Sequence, residues 1–466
     1  MGPAQADGLW APRRRGLTVG LVLTITFIAS EALAVVTVLP VVARDLGGLA
    51  LYGWVFSAFM LGSLIGIVAA GREADRRGPL RPYVAGLTFF GSGLVIAGLA
   101  PSMTVLVVGR GLQGFGAGAV PAVAYVAIGR SLPERLRARM MAVLSTAWVV
   151  PGLAGPALSA EVAHQFGWRW VFLGLLPLVA VAGLLALPAL ARLGAPRDTP
   201  SDEHRLLDGT RVAAGAGLVL AGLTSHGVII VIVCGVIGLV VGLPSLRRLL
   251  PPGTLTARPG LPATILSRGL LTFTFFTADA FVTLAITTVR HRSTALAGLT
   301  VTLATLAWAG GSWIQARLNE RWEARRHVRV GLTLILIGIA GMALALHASV
   351  PVGEGMAAWG IAGLGMGMAY APISLLTLKE TPPGREGWAS ASLNLSDVLG
   401  IAIGVGLGGA AVAAGSGTGW SVATGVGVAF AVAGGGGLAA LAVTRRLPDS
   451  GVVSPLLRAE APTAAS

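Results

Sequence analysis

Long apolar runs alternate with short polar segments along most of the chain. A helix that crosses a bilayer needs about 20 predominantly apolar residues. On that measure the first half contains six predicted spans, near residues 17–43, 50–70, 82–100, 103–128, 139–162 and 168–190. The second half contains six more, near residues 261–285, 294–316, 327–346, 354–378, 388–414 and 418–443. The pattern predicts an all-α polytopic membrane protein with two six-helix bundles.

A further apolar stretch, residues 212–244, lies between the two sets of spans and is interrupted by polar residues at 224–227. As a single helix it would be about 50 Å long, whereas the hydrocarbon core of a bilayer is about 30 Å thick. Two short spans joined by a tight turn fit that thickness better. The sequence therefore predicts two extra central spans and about 14 transmembrane helices in all.

Composition supports a membrane protein whose helices pack closely. Hydrophobic residues make up 54% of the chain, charged residues make up 12%, and the mean hydropathy is +0.79. The 67 glycines favour close approach of helices in lipid. The single cysteine, Cys234, excludes a disulfide framework and a cysteine-based metal site. No cleavable signal peptide is expected, because the first apolar run is too long for one.

The net charge of +14 is compatible with a nucleic-acid partner or with a membrane, and the placement of the basic residues decides for the membrane. With two central crossings, 29 of the 34 basic residues fall on the side of the amino terminus. Arg44, Arg169, Arg290 and Arg292 fall opposite, and Arg110 lies inside a span. Cytoplasmic loops are enriched in Lys and Arg. Both termini are therefore expected to be cytoplasmic, and the arginine-rich composition suggests a bacterial inner (plasma) membrane.

An internal repeat relates the two halves. GRGLQGFGAGAVPA (109–122) aligns with WGIAGLGMGMAYAP (359–372) with an offset of one residue, and EADRRGPLRPYVAG (73–86) aligns with LNERWEARRHVRVG (318–331). In the second pair Glu320 stands in the place of Asp75, and Arg326 in that of Arg81. Parallel six-span repeats are a known transporter architecture. Chance similarity of glycine-rich helices is the alternative.

The predicted domain organisation follows from these spans. Residues 1–16 and 444–466 are cytoplasmic tails, and residues 17–190 and 261–443 are the two six-helix bundles. Residues 191–260 contain cytoplasmic linkers and the two extra spans, at about 210–244.

Four motifs resemble the major facilitator superfamily, specifically its 14-span drug:proton antiporter branch. GREADRRGPLRP (71–82) resembles the cytoplasmic loop motif, and RGLQGFGAG (110–118) is similar to the motif with a buried arginine. PGLAGP (151–156) resembles the antiporter motif, and EALAVVTVLP (31–40) resembles the first-span motif of this branch. Three departures stand out: Glu31 replaces the usual aspartate, Pro79 and Leu80 replace basic residues, and Ser159 and Ala160 replace two glycines.

Glu31 and Arg110 are the first candidates for proton coupling. An isolated carboxylate inside a span is costly unless it is paired, hydrated or protonated, so Glu31 is expected to face the central cavity and to exchange a proton. Arg110 stays charged at any working pH and shares a helix face with Gln113. The resemblance implies that Arg110 lies near the first-helix acid and helps its proton leave. The alternatives are a structural hydrogen bond for Glu31 and bracing of the bundle for Arg110.

Asp279 and Asp397 are the other acids well inside predicted spans, and both lie in the second half. They are candidates for proton coupling or for binding a cationic substrate, with local packing as the alternative. Asn394, one turn before Asp397, is a candidate neighbour. The remaining candidates for the substrate cavity are Gln113 and the aromatic residues Tyr125, Trp148, Trp308 and Tyr370, whose alternative role is packing.

The candidate gating residues lie in two of the motifs: Gly71, Asp75, Arg76, Gly78 and Arg81 in the loop motif, and Gly155 and Pro156 in the antiporter motif. An acid at a helix end can cap a neighbouring helix or pair across the two halves, although a solvated positive loop is the alternative. Glycine and proline allow a helix to kink and to pack closely.

The function predicted from these features is proton-coupled export of small organic, drug-like molecules by alternating access. The alternative is a major-facilitator transporter of another class, either a metabolite importer or uniporter or a lipid exporter. No GxxxxGK[ST] or HExxH motif is present, so an ATP-driven pump and a membrane hydrolase are not favoured. An enzymatic activity, a cofactor and a nucleic-acid partner are not expected. A monomer driven by the proton gradient is expected.

Overall fold

The computed structural model describes residues 8–12, 14–133, 136, 140, 143–144, 147, 149–193, 203–225, 227–319, 321–381, 386–418 and 421–448. Helices account for most of these residues, and no strand occurs among them. Thirteen helices in the described part of the chain are long and apolar enough to cross a membrane. The predicted all-helical membrane fold with about 14 spans is confirmed.

The first half contains seven described helices: α1 (Arg15–Leu46), α2 (Tyr52–Arg77), α3 (Leu80–Gly98), α4 (Met103–Ser131), α5 (Val149–Gln165), α6 (Arg169–Leu173) and α7 (Leu175–Ala191). The predicted span 139–162 falls partly outside the described residues. The predicted span 168–190 is divided at Gly174 into α6 and α7. Pro177 has no backbone N–H, so the helical hydrogen bond to the carbonyl of Leu173 cannot form there.

Two helices form the central segment, α8 (Glu203–Leu223) and α9 (Val228–Leu249), which confirms two crossings rather than one. Helix α8 begins earlier than the predicted boundary at about 210, so it takes in part of the polar linker. The helices pack through small residues: a Cβ added at Gly215 would lie 2.5 Å from the carbonyl oxygen of Gly238. Ser245 also donates a 2.7 Å hydrogen bond to the buried Asp208 across this contact.

The described part of the second half contains six α-helices: α10 (Leu261–Leu284), α11 (Thr294–Leu318), α12 (Ala324–Leu344), α13 (Val352–Glu380), α14 (Glu386–Thr418) and α15 (Val422–Val443). A π-helical turn, Ala285–Val289, continues α10. The residue boundaries of the two bundles stay a prediction.

The same helix packing occurs in both halves, at the glycines of the sequence repeat. Glycine Cα atoms of α4 lie against backbone carbonyls of α2 and α3, where a Cβ would clash, in the pairs Gly114 with Phe59, Gly116 with Gly86, and Gly118 with Ser63. Helix α13 repeats this arrangement against α11 and α12, in the pairs Gly363 with Ala304, Gly365 with Gly331, and Gly367 with Trp308. The repeated sequence therefore corresponds to a repeated way of packing three helices.

The two halves meet through α2 and α14, α1 and α10, and α5 and α11. Ser57 donates a 2.9 Å hydrogen bond to the carbonyl of Ala402, and Thr283 donates a 2.7 Å hydrogen bond to that of Val36. A Cβ added at Gly53 would lie 2.5 Å from the Cα atom of Gly409. These contacts lie toward the end of the molecule at which α1 is connected to α2, and they close that end.

Candidate functional site

Glu31 and Arg110 form a buried ion pair between α1 and α4. The side chains are 1% and 2% exposed, and Nη1 of Arg110 donates a hydrogen bond to Oε1 of Glu31. The same Nη1 donates to Oε1 of Gln113, at 2.8 Å. Gln113 lies one helical turn after Arg110, as the sequence spacing predicts. The two proton-coupling candidates and the cavity candidate Gln113 are thus in contact.

Other contacts of Arg110 hold its guanidinium in place. Its Nε donates a 3.1 Å hydrogen bond to the carbonyl of Val55 on α2, and its Cζ lies 4.2 Å from the centre of the Phe59 ring. Among the described residues, Oε2 of Glu31 and Nε2 of Gln113 are buried without a hydrogen-bond partner. Glu31 therefore uses one carboxylate oxygen for the ion pair and keeps the other available for a proton.

Because this pair is buried, removing either member would leave the other as an unpaired charge. A guanidinium cannot lose its proton at any working pH, so removing the carboxylate would leave an unpaired buried cation. Removing the arginine would leave a carboxylate in an apolar bundle. Protonation of Glu31 would weaken its attraction to Arg110, and Gln113 and the carbonyl of Val55 would continue to accept hydrogen bonds.

Asp279 lies on α10 and is hydrogen-bonded to α13. It is 7% exposed, and its Oδ1 accepts a 3.2 Å hydrogen bond from Nε1 of the fully buried Trp359. Within the described residues no Lys, Arg or His forms an ion pair with Asp279. Its carboxyl group is therefore held by a neutral donor, unlike that of Glu31.

Asp397 forms an ion pair that the sequence did not reveal. Nε of Arg268 on α10 donates a 2.7 Å hydrogen bond to Oδ1 of Asp397 on α14, and the Tyr370 hydroxyl donates to Oδ2 at 3.2 Å. The Arg268 guanidinium also lies over the Tyr370 ring, with Cζ 3.1 Å from its centre. The charge count assigns Arg268 to the amino-terminal side, although the residue lies inside the predicted span 261–285, and the structure places it within α10, 3% exposed.

The spacing of polar residues along α10 could have shown that Arg268 faces the interior of the bundle. Arg268, Thr272 and Asp279 recur at intervals of four and seven residues, which places them on one face of α10. Thr272 donates a 3.3 Å hydrogen bond to the backbone carbonyl of Asp397, so this face is directed toward α14.

Aromatic side chains connect the surroundings of Asp397 with those of Asp279. The centre of the Trp308 ring is 5.6 Å from that of Tyr370 and 5.7 Å from that of Phe275. Phe275 stacks on Trp359 with the ring centres 5.2 Å apart. Trp308 and Tyr370 are only half-buried, whereas Phe275 and Trp359 are buried. Trp308 and Tyr370, both predicted to line a cavity, are thus brought together.

Three cavity candidates remain, Asn394, Tyr125 and Trp148, and only Asn394 has a described side chain. Asn394 is exposed on α14, and the described side chains that hydrogen-bond to the Asp397 carboxylate are Arg268 and Tyr370. Tyr125 is in α4, but its side chain lies outside the described part of the chain, and Trp148 lies outside it altogether.

The loop-motif residues lie at the end of α2 and the start of α3. Gly78 ends α2 with φ +86°, a conformation that favours glycine, whereas a Cβ at Gly71 would meet no atom within 4 Å. Arg76 and Arg81 are exposed. Asp75 lies in α2, and its side chain is outside the described part. Glu320, its predicted counterpart in the repeat, also lies outside the described residues.

Gly155 and Pro156 lie in α5, at the contact between the halves. A Cβ at Gly155 would come no closer than 4.0 Å to the Leu33 side chain on α1. The carbonyl oxygen of Pro156 would lie 3.0 Å from a Cβ at Gly298 on α11. These two residues thus face helices from both halves.

The arrangement of two similarly packed six-helix halves, with buried acids on α1, α10 and α14, is that of a polytopic membrane transporter. Residues 19–405 match the Major Facilitator Superfamily, and the chain belongs to that family. Members of the family are membrane transporters, which agrees with the thirteen apolar helices in the described part of the chain.

Relatives with related sequences carry names that refer to drug export. A probable multidrug-efflux transporter of Mycobacterium tuberculosis is 27% identical over 418 residues, covering 85% of this chain and 88% of the relative. The multidrug resistance protein Stp of the same organism is 27% identical over 394 residues, covering 82% of this chain and 73% of the relative. The multidrug transporter protein MdtP of Bacillus subtilis is 32% identical over 180 residues, covering 39% of this chain and 32% of MdtP.

Solved structures confirm the fold. A bacterial homologue of the human lysosomal transporter Spinster, inward-facing and occupied, matches with a TM-score of 0.67 and 16% identity, covering 93% of this chain and 98% of that one. A D-xylose–proton symporter matches with a TM-score of 0.66 and 15% identity, covering 93% and 98%. At these identities the likeness concerns the fold alone.

Proposed function

We propose that this chain is a proton-coupled secondary transporter that exports small organic, drug-like molecules of cationic or amphipathic character. The observation that carries the proposal is the buried Glu31–Arg110 pair, in which one carboxylate oxygen has no partner among the described residues. Relatives named as multidrug-efflux transporters support the direction of transport and the type of substrate. In this role the protein would contribute to antibiotic resistance.

Proton coupling at Glu31 follows from the electrostatics of the pair. A proton on the free oxygen neutralises Glu31, which weakens its hold on Arg110 and lets α1 and α4 shift relative to each other. The permanent charge of Arg110 favours loss of this proton, and once Glu31 is ionised the pair forms again. Asp279 and Asp397 are further carboxyl groups that can take part in proton coupling.

Alternating access requires the two halves to rock about the substrate site. Gly53 and Gly409 touch at the closed end. Gly155 and Pro156 lie between α1 and α11, where kinking of α5 at the proline would change the contact between the halves. Asp75 and its basic neighbours belong to the opposite end of α2, where they form the second gate. This proposal needs no cofactor, because the proton gradient supplies the energy.

The proposed location is a bacterial plasma membrane, with both termini in the cytoplasm. The proposed working unit is a single chain. The positive-inside distribution of arginine supports this orientation.

The proposal is tested by reconstituting the full chain in vesicles that contain a pH-sensitive dye. A proton gradient is imposed, and cationic and neutral drugs are screened for drug-dependent proton movement in wild type and in Glu31→Gln. Asp208→Asn is the matched control, because Asp208 is a buried acid between α8 and α9. Drug-dependent proton movement that disappears in Glu31→Gln alone supports the proposal. Proton movement that is unchanged in Glu31→Gln rules out Glu31 as the coupling acid.

A further inference from the structure

The two halves contain matching pairs of residues at the contact between their first and fourth helices. Arg110 precedes Gly114 by four residues, and Trp359 precedes Gly363 by four residues. Gly114 and Gly363 occupy the same place in the repeated helix packing, each against a backbone carbonyl of the neighbouring helix. Trp359 therefore occupies on α13 the position that Arg110 occupies on α4.

The acids that contact these residues match as well. Arg110 donates to Glu31 on α1, the first helix of its half, and Trp359 donates to Asp279 on α10, the first helix of the other half. An acid and a nitrogen donor thus recur at the same place in both halves. The donor differs in charge, because a guanidinium is always cationic whereas an indole is neutral.

The first half supplies its own cation to its buried acid, and this cation lies over an aromatic ring. The guanidinium of Arg110 lies between Glu31 and the ring of Phe59. In the second half Ala304 takes the position of Phe59. The aromatic rings beside the acid come instead from α10 and α13, because Phe275, one turn before Asp279, stacks on Trp359. Arg268, three turns earlier on the same helix, is paired with Asp397 instead.

We infer that Asp279, together with the aromatic cluster Phe275, Trp308 and Trp359, binds the cationic group of an aromatic or amphipathic substrate. The ligand supplies the positive charge that Arg110 supplies in the first half. The inference deepens the proposed export function and rests on it for the statement that this ligand is the transported molecule.

Two physical properties make this position suited to a cation. A carboxylate in the interior of a bundle is stabilised by an opposite charge, and Asp279 receives only a neutral hydrogen bond from the described side chains. Aromatic faces attract organic cations within about 6 Å, most strongly when the contact is shielded from water. Trp308, whose ring contacts that of Phe275, is only half-buried, so the cluster has one partly accessible member.

The experiment measures binding to the purified full chain, so that transport is not required. Tetraphenylphosphonium is the cationic probe, and triphenylphosphine oxide, which carries phenyl groups but no net charge, is the neutral one. Both are measured by equilibrium dialysis with wild type, Asp279→Asn and the control Asp208→Asn. The thermal midpoint and the elution profile of each variant report on folding.

The expected result is that Asp279→Asn weakens binding of tetraphenylphosphonium by about tenfold or more, while triphenylphosphine oxide binds as it does to wild type. Asp208→Asn binds both probes like wild type. The inference is overturned if wild type does not bind the cation, if Asp279→Asn binds it unchanged, or if the variant loses both probes equally.

A second variant tests the inference without removing the acid. Trp359→Arg places a guanidinium at the position that matches Arg110, and it should neutralise Asp279 internally. Folded Trp359→Arg is expected to lose affinity for tetraphenylphosphonium by at least as much as Asp279→Asn. Retained affinity in this variant would contradict the inference.

Failure of the proposed function gives a different result. If tetraphenylphosphonium binds in an Asp279-dependent manner but causes no proton movement in the dye-loaded vesicles, then proton-coupled export of this cation fails and the binding site stands.

Discussion

Arg268 and Asp397 join α10 to α14 through a 2.7 Å hydrogen bond between a guanidinium and a carboxylate, both of which are almost inaccessible to solvent. The guanidinium also donates to the backbone carbonyl of Tyr370 at 2.7 Å, so a single side chain connects three helices of the second half. Asp279 does not take part in this pair, although Asp279 and Asp397 both face the interior of the same bundle.

The first prediction concerns the stability that this pair provides. Removal of one member of a buried pair leaves an uncompensated charge and costs about 3–5 kcal/mol, so Arg268→Ala should lower the free energy of unfolding by about 3 kcal/mol. Asp397→Asn in the Arg268→Ala background should restore part of this loss, because the carboxylate charge is then gone. Unfolding in mixed detergent micelles measures all three variants. Strictly additive effects of the two substitutions would show that the residues do not interact.

The second prediction separates coupling from bracing at Arg110. Arg110→Ala leaves Glu31 buried without its partner and should lower the thermal midpoint in detergent. Adding Glu31→Gln removes the unpaired charge and should recover most of the midpoint, because the amide group carries no charge to stabilise. Drug-dependent proton movement in vesicles should stay absent from the double variant. If the double variant transports like wild type, the pair has no coupling role.

The third prediction concerns closure of one end of the molecule. A side chain at Gly53 would overlap the backbone of Gly409, so Gly53→Leu should separate the two halves at that end. Thr37 is fully buried there, beside Gly298, and a Thr37→Cys side chain should be unreactive toward a water-soluble maleimide while the end is closed. In a Cys234→Ser background, Gly53→Leu is expected to increase labelling of Thr37→Cys severalfold.

The control for this experiment is Gly310→Leu, because a Cβ at Gly310 meets no atom within 4 Å. It should leave labelling at the level of the parent. Equal labelling in Gly53→Leu and the parent would show that this glycine contact does not hold the end closed.

Much of the fold could be predicted, because membrane thickness fixes the length of a span and the internal repeat relates the two halves. The contact between Arg110 and Gln113 followed from spacing along one helix, and the contact between Glu31 and Arg110 followed from the family resemblance. Both lie in motifs that are readable without a structure. The division of the sixth span at Gly174 depended on Pro177, which lies inside an apolar run.

The pairings in the second half could not be predicted in the same way. Arg268 lies close to the start of α10, so a count of loop charges assigned it to the loops, and its partner Asp397 is far away in sequence. Trp359 became the counterpart of Arg110 only when the glycines were aligned by their packing, one residue away from the alignment read by eye. Contacts between helices depend on rotation about each helix axis, which hydrophobic patterning does not define.

The last prediction addresses the two extra helices, whose contact depends on small residues on one face of α9. A Cβ at Gly238 would lie 2.5 Å from the carbonyl oxygen of Gly215 on α8, whereas a Cβ at Gly235, less than one turn earlier, would meet no atom within 4 Å. Helices in lipid associate through close backbone contact at such residues, and overpacking at a contact costs about 1–3 kcal/mol. Gly238→Leu should therefore lower the thermal midpoint, and Gly235→Leu should not. An equal loss in both variants would mean that α9 responds to bulk in general, and no loss in either would mean that α8 and α9 contribute little to the stability of the chain.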